Sequence, residues 1–525
     1  MSPAILTEDI LFHVVSHLSA THSRSARRTL VRLARVHSTF KKPALAVLWR
    51  SLPSAEALEH LLCAIGIAQE DPQNDHHGLT HLSLNGTLET HRSGWERFQE
   101  YSVLVREITL DPFFVPAQHP LGFGFSSFDP EDTFWGHLTS TFGITSILPC
   151  LKVVTLRSSD SVRFSTFNPD TLRFLNPSIR GFNVDVASVS PEGRWKFAQF
   201  FATCFSSVED LDVIALNTLV PVLDFESLPQ LHSRLRRLTV LSIQSDELSH
   251  LASLQNLEYL SIGMARRDER PPDLPIKLLQ LRNLTLSSYQ SSGLSAFLAN
   301  VDVPQLQSFS GSMSQSRQNP KEVYEELSNV LRLLVAKCPA LISFSWATDR
   351  WVRNDDRSGA GALQLAELVA PLLSVRTIRN FSASFRPYMI SYTPSDFRAF
   401  AQAWPELETL ELRIVTDENE ADENEADENE ADGNEADENA YADFESLVSF
   451  AHHCPRLRRL HIPTFKFDHA ADTTATVRPP VSHWLQSLYV ETVVLSAKQP
   501  EDEASESFLR LMQEVFPEAD IDFGF

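Results

Sequence analysis

A short apolar phrase, Leu-x-x-Leu-x-Leu with conservative replacements, recurs along most of the chain and constrains its fold more than any other feature. Successive copies mostly start 22 to 29 residues apart, a period that accommodates one strand and one helix-length segment. The widest interval, 50 residues between Leu407 and Leu457, indicates an insertion. The copies begin at Leu79, Val105, Leu151, Ile179, Val208, Leu235, Leu257, Leu281, Leu306, Leu341, Ile378, Leu407, Leu457 and Leu485.

Each copy predicts a strand whose alternate residues point to opposite sides. Because one strand-plus-helix unit cannot bury its own apolar face, successive units are expected to stack on each other. The phrase and its period resemble leucine-rich repeats. That resemblance implies an α/β solenoid with parallel strands on the concave face and helices on the convex face. The alternative is a set of unrelated strands in an ordinary α/β domain.

The widest interval contains an acidic tract at 417–439 that carries 13 carboxylates in copies of Asp-Glu-Asn-Glu-Ala. Without these 23 residues the interval is 27 residues long, an ordinary repeat length. Mutual repulsion and the low apolar content predict a disordered insertion in the loop of one repeat. Two roles stay open for it, an acidic lure for basic partners and a tolerated loop expansion.

The first 50 residues have a different pattern, that of short amphipathic helices. Apolar residues at positions 6, 10, 11, 14 and 18 lie along one side of a first helix. A second helix is predicted from Ser23 to Phe40, ended by Lys41-Lys42-Pro43, and a third from Ala44 to Leu52. No acidic residue occurs between Asp9 and Glu56, whereas arginine and lysine are frequent there. The segment is therefore a cationic part of an acidic chain.

This segment resembles the F-box family in its Leu-x-x-x-Ile-Leu start, its apolar residues at helical spacing and its Leu-Trp end. Thr7 stands where the family usually has proline, and His37 where it usually has cysteine. Neither departure breaks the apolar pattern. The alternative is an ordinary helical cap on a larger domain. The matching residues are Leu6, Asp9, Ile10, Leu11, Val14, Leu18, Leu30, Leu33, Val36, Phe40, Leu48 and Trp49.

The resemblance implies a short all-helical F-box at 1–52, followed by an irregular leucine-rich-repeat solenoid at 53–525. It implies that the apolar residues just named bind a Skp-family adaptor, and through it a cullin scaffold. The repeats would hold a protein target, so that the chain is the substrate-recognition adaptor of a cullin-RING (SCF) ubiquitin ligase and not an enzyme. Two alternatives are a leucine-rich-repeat interaction scaffold acting outside a ligase, and an enzyme whose site is assembled only in three dimensions.

The residues between the apolar positions of each phrase are expected on the concave face, where a target would dock. In the early copies they include carboxylates, which favour a basic segment of the target. In the middle copies they are small hydroxyls, which leave room for a close approach. The predicted carboxylates are Glu107, Asp111, Asp185, Asp210 and Asp212. The predicted hydroxyls are Thr285, Ser287, Ser308, Ser310, Ser343, Ser345, Ser382 and Ser384.

Composition and motifs narrow the function further. A net charge of −23 argues against a nucleic-acid partner. The apolar runs are too short to span a membrane, and no secretory leader is recognisable, so we expect a cytoplasmic or nuclear protein. The five cysteines lie far apart and suggest neither a metal site nor a disulfide framework. No catalytic motif is found, and no cofactor or metal is expected.

Overall fold

The computed structural model divides the chain into two compact units, Met1–Ser242 and Ile243–Phe525, here called the first and second units. The structure describes residues 8–18, 24–70, 82–85, 88–111, 113–114, 134–158, 166–167, 170–186, 202–204, 208, 211–217, 233–243, 247–264, 276–288, 293–313, 320–348, 363–385, 390–414, 441–467, 484–495 and 501–523. Leu6, Asp210 and the acidic tract 417–439, for which we made predictions, lie outside these residues.

In the first unit, a three-helix module precedes a set of parallel strands. The described helices are α1 (Glu8–Ser16), α2 (Arg24–Val36), α3 (Ser38–Arg50), α4 (Glu56–Ala64), α5 (Leu88–Ser102), α6 (Phe134–Phe142) and α7 (Asp170–Arg173). The described strands are β1 (Ser51–Leu52), β2 (Ala68–Glu70), β3 (Leu82–Leu84), β4 (Glu107–Leu110), β5 (Phe113–Phe114), β6 (Val153–Ser158), β7 (Thr166–Phe167), β8 (Gly181–Val186), β9 (Val213–Asn217) and β10 (Arg237–Ile243).

The second unit continues the alternation of strands and helices. Its described helices are α8 (Gly293–Asn300), α9 (Pro320–Lys337), α10 (Leu365–Val369), α11 (Pro394–Ala403), α12 (Phe444–His453) and α13 (Glu501–Val515), with 3₁₀ turns at Glu247–Ser253 and Leu372–Ser374. Its described strands are β11 (Tyr259–Met264), β12 (Ile276–Lys277), β13 (Asn283–Ser288), β14 (Val301–Asp302), β15 (Ser308–Met313), β16 (Ser343–Thr348), β17 (Leu363–Gln364), β18 (Asn380–Phe385), β19 (Ile390–Ser391), β20 (Thr409–Ile414), β21 (Arg459–Phe467), β22 (Ser487–Leu495) and β23 (Asp520–Phe523).

Parallel pairing between neighbouring repeats organises both units. In the first unit the hydrogen-bonded order is β1-β4-β6-β8-β9-β10, and every neighbouring pair in it is parallel. In the second unit the order is β11-β13-β15-β16-β18-β20-β21-β22-β23, again parallel throughout. The expected α/β class with a large parallel sheet is therefore confirmed. Most predicted phrases coincide with one of these strands.

Two predicted phrases are wrong in position. The Leu79 phrase is wrong because Leu82–Leu84 forms β3, which pairs antiparallel with β2 outside the parallel sheet. The sheet begins instead at β1, which is too short to show a periodicity. The Val208 phrase is displaced by three residues, since Ile214 and Leu216 oppose Phe182 and Val184 in register. Apolar residues at a three-residue spacing fit both registers, and only pairing with β8 selects one.

The helix boundaries of the N-terminal module also differ from the prediction. The second helix ends at Val36, and α3 begins at Ser38, so Lys41-Lys42-Pro43 lies inside α3 rather than ending α2. His37 separates the two helices because its backbone is extended and its imidazole accepts a hydrogen bond from the Thr39 backbone N–H. The cap at His37 therefore sets the boundary between the helices. Pro43 is tolerated inside α3, although a proline there costs the helix one backbone hydrogen bond.

Along β13, β15, β16 and β18, burial alternates from residue to residue, which defines a buried face and an open face of the sheet. In β15, β16 and β18 the inward positions carry Phe309, Phe344 and Phe381, directly opposite one another in register. Their rings stack with centroids 6.0 and 5.7 Å apart. Repeating one aromatic at one position fills the space between strands and helices with a continuous column.

A glycine makes room for Trp346, which lies on the same buried face as the column, two residues along β16 from Phe344. Gly311 is opposite Trp346 in register, and the Trp346 side chain is 1% exposed. A Cβ atom added at Gly311 would lie 2.6 Å from two ring carbons of Trp346. No real Cβ contact is that short, and the tryptophan is held on all sides, so it cannot move without disturbing its neighbours.

We predict that Gly311→Ala lowers the free energy of unfolding by about 1–3 kcal/mol, the usual cost of overpacking a core. The matched control is Ser312→Ala, one residue along the strand on the open face, for which a change within about 0.5 kcal/mol is expected. Chemical denaturation of both variants measures the difference. Equal stabilities would contradict the packing described for Trp346.

Candidate functional site

The three-helix module has a small core of its own. Val15, Leu30, Ala44 and Val47 form its buried centre. Leu18, Leu33, Ala34, Phe40 and Leu48 pack against that centre and stay partly accessible. The inward stripe of α1 is therefore Leu11, Val15 and Leu18 rather than the stripe through Val14 that the sequence suggested.

Apolar side chains remain outside this core. On α1, the side chains of Ile10 and Val14 are 49% and 56% exposed. They are four residues apart, so both lie on one face of the helix. Phe12 on the same helix and Val31 and Val36 on α2 are also exposed. Scattered exposed apolar residues are ordinary, whereas Ile10 and Val14 are neighbours on one helical face.

The residues predicted to bind an adaptor therefore fall into three groups. Leu11 and Leu30 are buried, and Leu30 belongs to the core of the module. Ile10, Val14 and Val36 are exposed. The half-buried group lies at the margin of the core and comprises Leu18, Leu33, Phe40, Leu48 and Trp49.

Contacts of Trp49 and Arg27 help to attach the module to the rest of the first unit. The Trp49 ring packs against Tyr101 of α5, with ring centroids 5.0 Å apart. Arg27 Nη1 donates a hydrogen bond to the Ser51 carbonyl oxygen in β1 at 3.0 Å. Partial burial lowers the pKa of Arg27 from its ordinary value, which is so high that the guanidinium stays charged. Trp49 thus has a partner within the chain, which its place in the sequence motif did not indicate.

The module also carries an exposed set of cations. Arg28, Arg32 and Arg35 lie on the exposed side of α2, and Lys41 and Lys42 are exposed on α3. The i, i+4 spacing of Arg28 and Arg32 places both guanidinium groups on one face of the helix. This face presents positive charge to any acidic partner that approaches the module.

The predicted carboxylates do not form one row. Glu107 and Asp185 each adjoin a buried strand residue, Ile108 and Val184, and so lie on the opposite face of the strands, the open face of the first unit. Asp111 is exposed just after β4. Asp185 is bound by Arg157 of the adjacent strand, with Nε and Oδ2 3.0 Å apart. Asp212 precedes β9 because of the three-residue displacement, and its position corresponds to Arg180 in the neighbouring repeat. A uniformly acidic surface for a basic target is therefore not present among these described residues.

The predicted hydroxyls do share one face. In β13, β15, β16 and β18 they alternate with buried residues, as the burial patterns show. Thr285, Ser310, Ser345 and Ser382 are register partners across four successive strands. This prediction of side-chain direction is confirmed, because the period of a strand fixes it once the phrase is placed correctly.

Next to the hydroxyls, the open face becomes charged and aromatic, which the sequence did not suggest. Glu411 follows Ser382 in register, and His461 follows Glu411. His461 Nε2 lies 2.8 Å from Glu491 Oε1, and the Tyr489 ring meets the imidazole edge-to-face at 4.5 Å. Nearby, burial is the largest cause that raises the pKa of Tyr392 to about 12, with Glu491 adding to it. Glu411, His461 and the pair of Tyr489 and Glu491 come from three successive repeats, and no linear motif joins them.

Several buried titratable groups have structural partners. Glu326 of α9 accepts hydrogen bonds from the backbone N–H and hydroxyl of Ser295, although burial raises the pKa of Glu326. Burial raises the pKa of both Cys338 and Cys454 to about 12, so neither thiol is ionised at neutral pH. Within the described ranges, no group of three or more His, Cys, Asp or Glu residues has the arrangement of a metal site.

Neither a scan of protein-family models nor a search of curated proteins finds a match to this chain. Among the helices that the structure describes, none combines the length and the apolar character needed to cross a membrane.

Proposed function

We propose that this chain is the substrate-recognition adaptor of a cullin-RING (SCF) ubiquitin ligase. In this proposal α1 to α3 are an F-box that binds a Skp-family adaptor, and through it a cullin. The parallel strands and their helices are a leucine-rich-repeat solenoid that holds a protein target. The chain would act by bringing the two together, in the cytoplasm or the nucleus, while other subunits transfer ubiquitin.

The observation that carries the proposal is the separation of the module's core from its exposed apolar residues. Val15 and its neighbours already bury the apolar interior that three short helices need. Ile10 and Val14 contribute little to that interior and remain accessible. Apolar side chains that are not needed for folding are the kind of anchor on which a protein interface depends.

We predict that Ile10→Ala with Val14→Ala abolishes co-purification with the Skp-family adaptor. Losing a buried interface anchor commonly costs about 2 kcal/mol, or roughly thirtyfold in affinity. Because both side chains are exposed in the free chain, its thermal unfolding should hardly change. The measurement is affinity purification of the full-length chain from cells, with adaptor and cullin quantified.

The matched control is Leu279→Ala, an equally exposed leucine at 48% in the second unit, which should leave adaptor binding intact. Wild-type chain that captures neither adaptor nor cullin would contradict the ligase proposal and favour a scaffold that acts outside any ligase. Wild-type capture that persists in the double variant would instead remove Ile10 and Val14 from the interface.

The exposed arginines of α2 lead to a separate prediction about the rate at which the adaptor associates with the chain. If they steer an acidic adaptor, charge reversal by Arg28→Glu with Arg32→Glu should slow association by about tenfold or more at low salt. The difference should shrink as salt shortens the Debye length. Stopped-flow mixing measures the rates, with exposed Arg332→Glu on α9 as the control. An unchanged rate at low salt would mean that the α2 arginines are only solvated.

A further inference from the structure

One position of the repeat is mostly basic in the first unit, namely the residue immediately before each strand of the parallel sheet. The backbone N–H of each such residue donates to the carbonyl of the equivalent residue in the preceding repeat, which proves that they are neighbours. Four of them in succession are basic. In spatial order the positions are Arg50, Arg106, Lys152, Arg180, Asp212 and Arg236. We call the first four residues the basic edge.

Two side chains of the basic edge, those of Arg106 and Lys152, are oriented by backbone carbonyl groups and not neutralised. Arg106 Nη1 donates to the carbonyl oxygens of Val103 at 2.8 Å and Cys150 at 3.2 Å. Lys152 Nζ donates to the Ser178 carbonyl oxygen at 3.3 Å. Carbonyl groups orient a cation and leave its net charge in place. Within the described part of the chain, no carboxylate forms an ion pair with any of the four cations.

The equivalent residues of the second unit show which residue types the backbone hydrogen bonds between repeats accept at this position. There the connected residues are mixed in charge and polarity, and Arg379 is paired with Glu408 at 3.8 Å. The backbone ladder forms equally well in both units, so basic residues are not needed to build the edge. The connected residues are Glu258, Arg282, Gln307, Ile342, Arg379, Glu408, Arg458 and Gln486.

We propose that the basic edge is a docking site for an acidic, extended segment of a partner protein. Neighbouring strands lie about 4.8 Å apart, so the backbones of the four basic residues follow a line about 14 Å long. An extended peptide advances about 3.3 Å per residue, and about five residues therefore match this line. Guanidinium groups bind carboxylates in a planar, two-hydrogen-bond geometry, which suits aspartate and glutamate side chains.

A peptide fits this site better than a nucleic acid does. The basic edge is a single line of cations, with Glu107 adjoining it on the open face. The chain as a whole has a net charge of −23, which disfavours binding of a long polyanion that extends beyond the edge. A short acidic segment experiences the local charge without requiring a broad basic surface. The inference goes beyond the proposed ligase role and does not depend on it, since no residue of the basic edge is assigned to adaptor binding.

The test uses the full-length chain and a fluorescein-labelled peptide of five glutamates flanked by glycine and serine. Fluorescence anisotropy at low ionic strength should show binding that weakens as salt rises. Lys152→Glu with Arg180→Glu should lower the affinity by about tenfold or more, since two attractions become two repulsions. The neutral pair Lys152→Gln with Arg180→Gln should give a smaller loss and guards against misfolding, which thermal unfolding checks.

A variant that is expected to bind the peptide more tightly gives a sharper test. Asp212 interrupts the cations between Arg180 and Arg236, so Asp212→Arg should lengthen the basic line and tighten peptide binding by about threefold. Charge reversal at equivalent positions of the second unit, Arg282→Glu with Arg458→Glu, is the matched control and should change affinity by less than about twofold.

Three outcomes would overturn the inference. One is an equal loss of affinity in the second-unit control, which would reflect overall charge rather than a site. Another is peptide binding that is lost with Arg28→Glu and Arg32→Glu but kept in the Lys152 and Arg180 variant, which would place the site on α2. The third is tighter binding of a labelled single-stranded oligonucleotide than of the peptide with the same dependence on Lys152 and Arg180, which would make the edge a nucleic-acid site.

Discussion

The parallel register between neighbouring strands is the constraint on which the rest of this structure depends. A single strand here buries only two or three side chains and leaves its backbone groups on both sides in need of partners. Both needs are met only when the next repeat arrives in the same register, as Phe309, Phe344 and Phe381 do. Register then determines everything built on the sheet, including which side chains face outward and which residue precedes each strand.

The N-terminal module is held by a different principle, the packing of three short helices around Val15, Leu30 and Val47. It is joined to the repeats through Trp49 and Arg27, each of which contacts a residue beyond the helices. The module can therefore be anchored while part of its apolar surface stays exposed. Because the module adjoins β1, the surface proposed to bind the adaptor and the sheet proposed to bind the target would belong to one chain.

Much of the fold could be predicted because the repeated phrase states both the position of a strand and the direction of its side chains. The hydroxyls of β13 to β18 follow from that rule alone. Prediction failed where the local signal was ambiguous or short. Val208 and Leu211 fit two registers, and β1 has only two residues. The basic edge and the His461–Glu491 pair become visible only when the register aligns residues that are far apart in sequence.

We propose that the adaptor binds the module's exposed apolar face and not the sheet. Hydrogen–deuterium exchange of the full-length chain, alone and with a purified Skp-family adaptor, tests it directly. We expect the amides of α1 to become protected in the complex, because docking on Ile10 and Val14 restrains local opening of that short helix. Exchange in β13 to β18 should stay the same. Protection confined to those strands, with α1 unchanged, would contradict the claim.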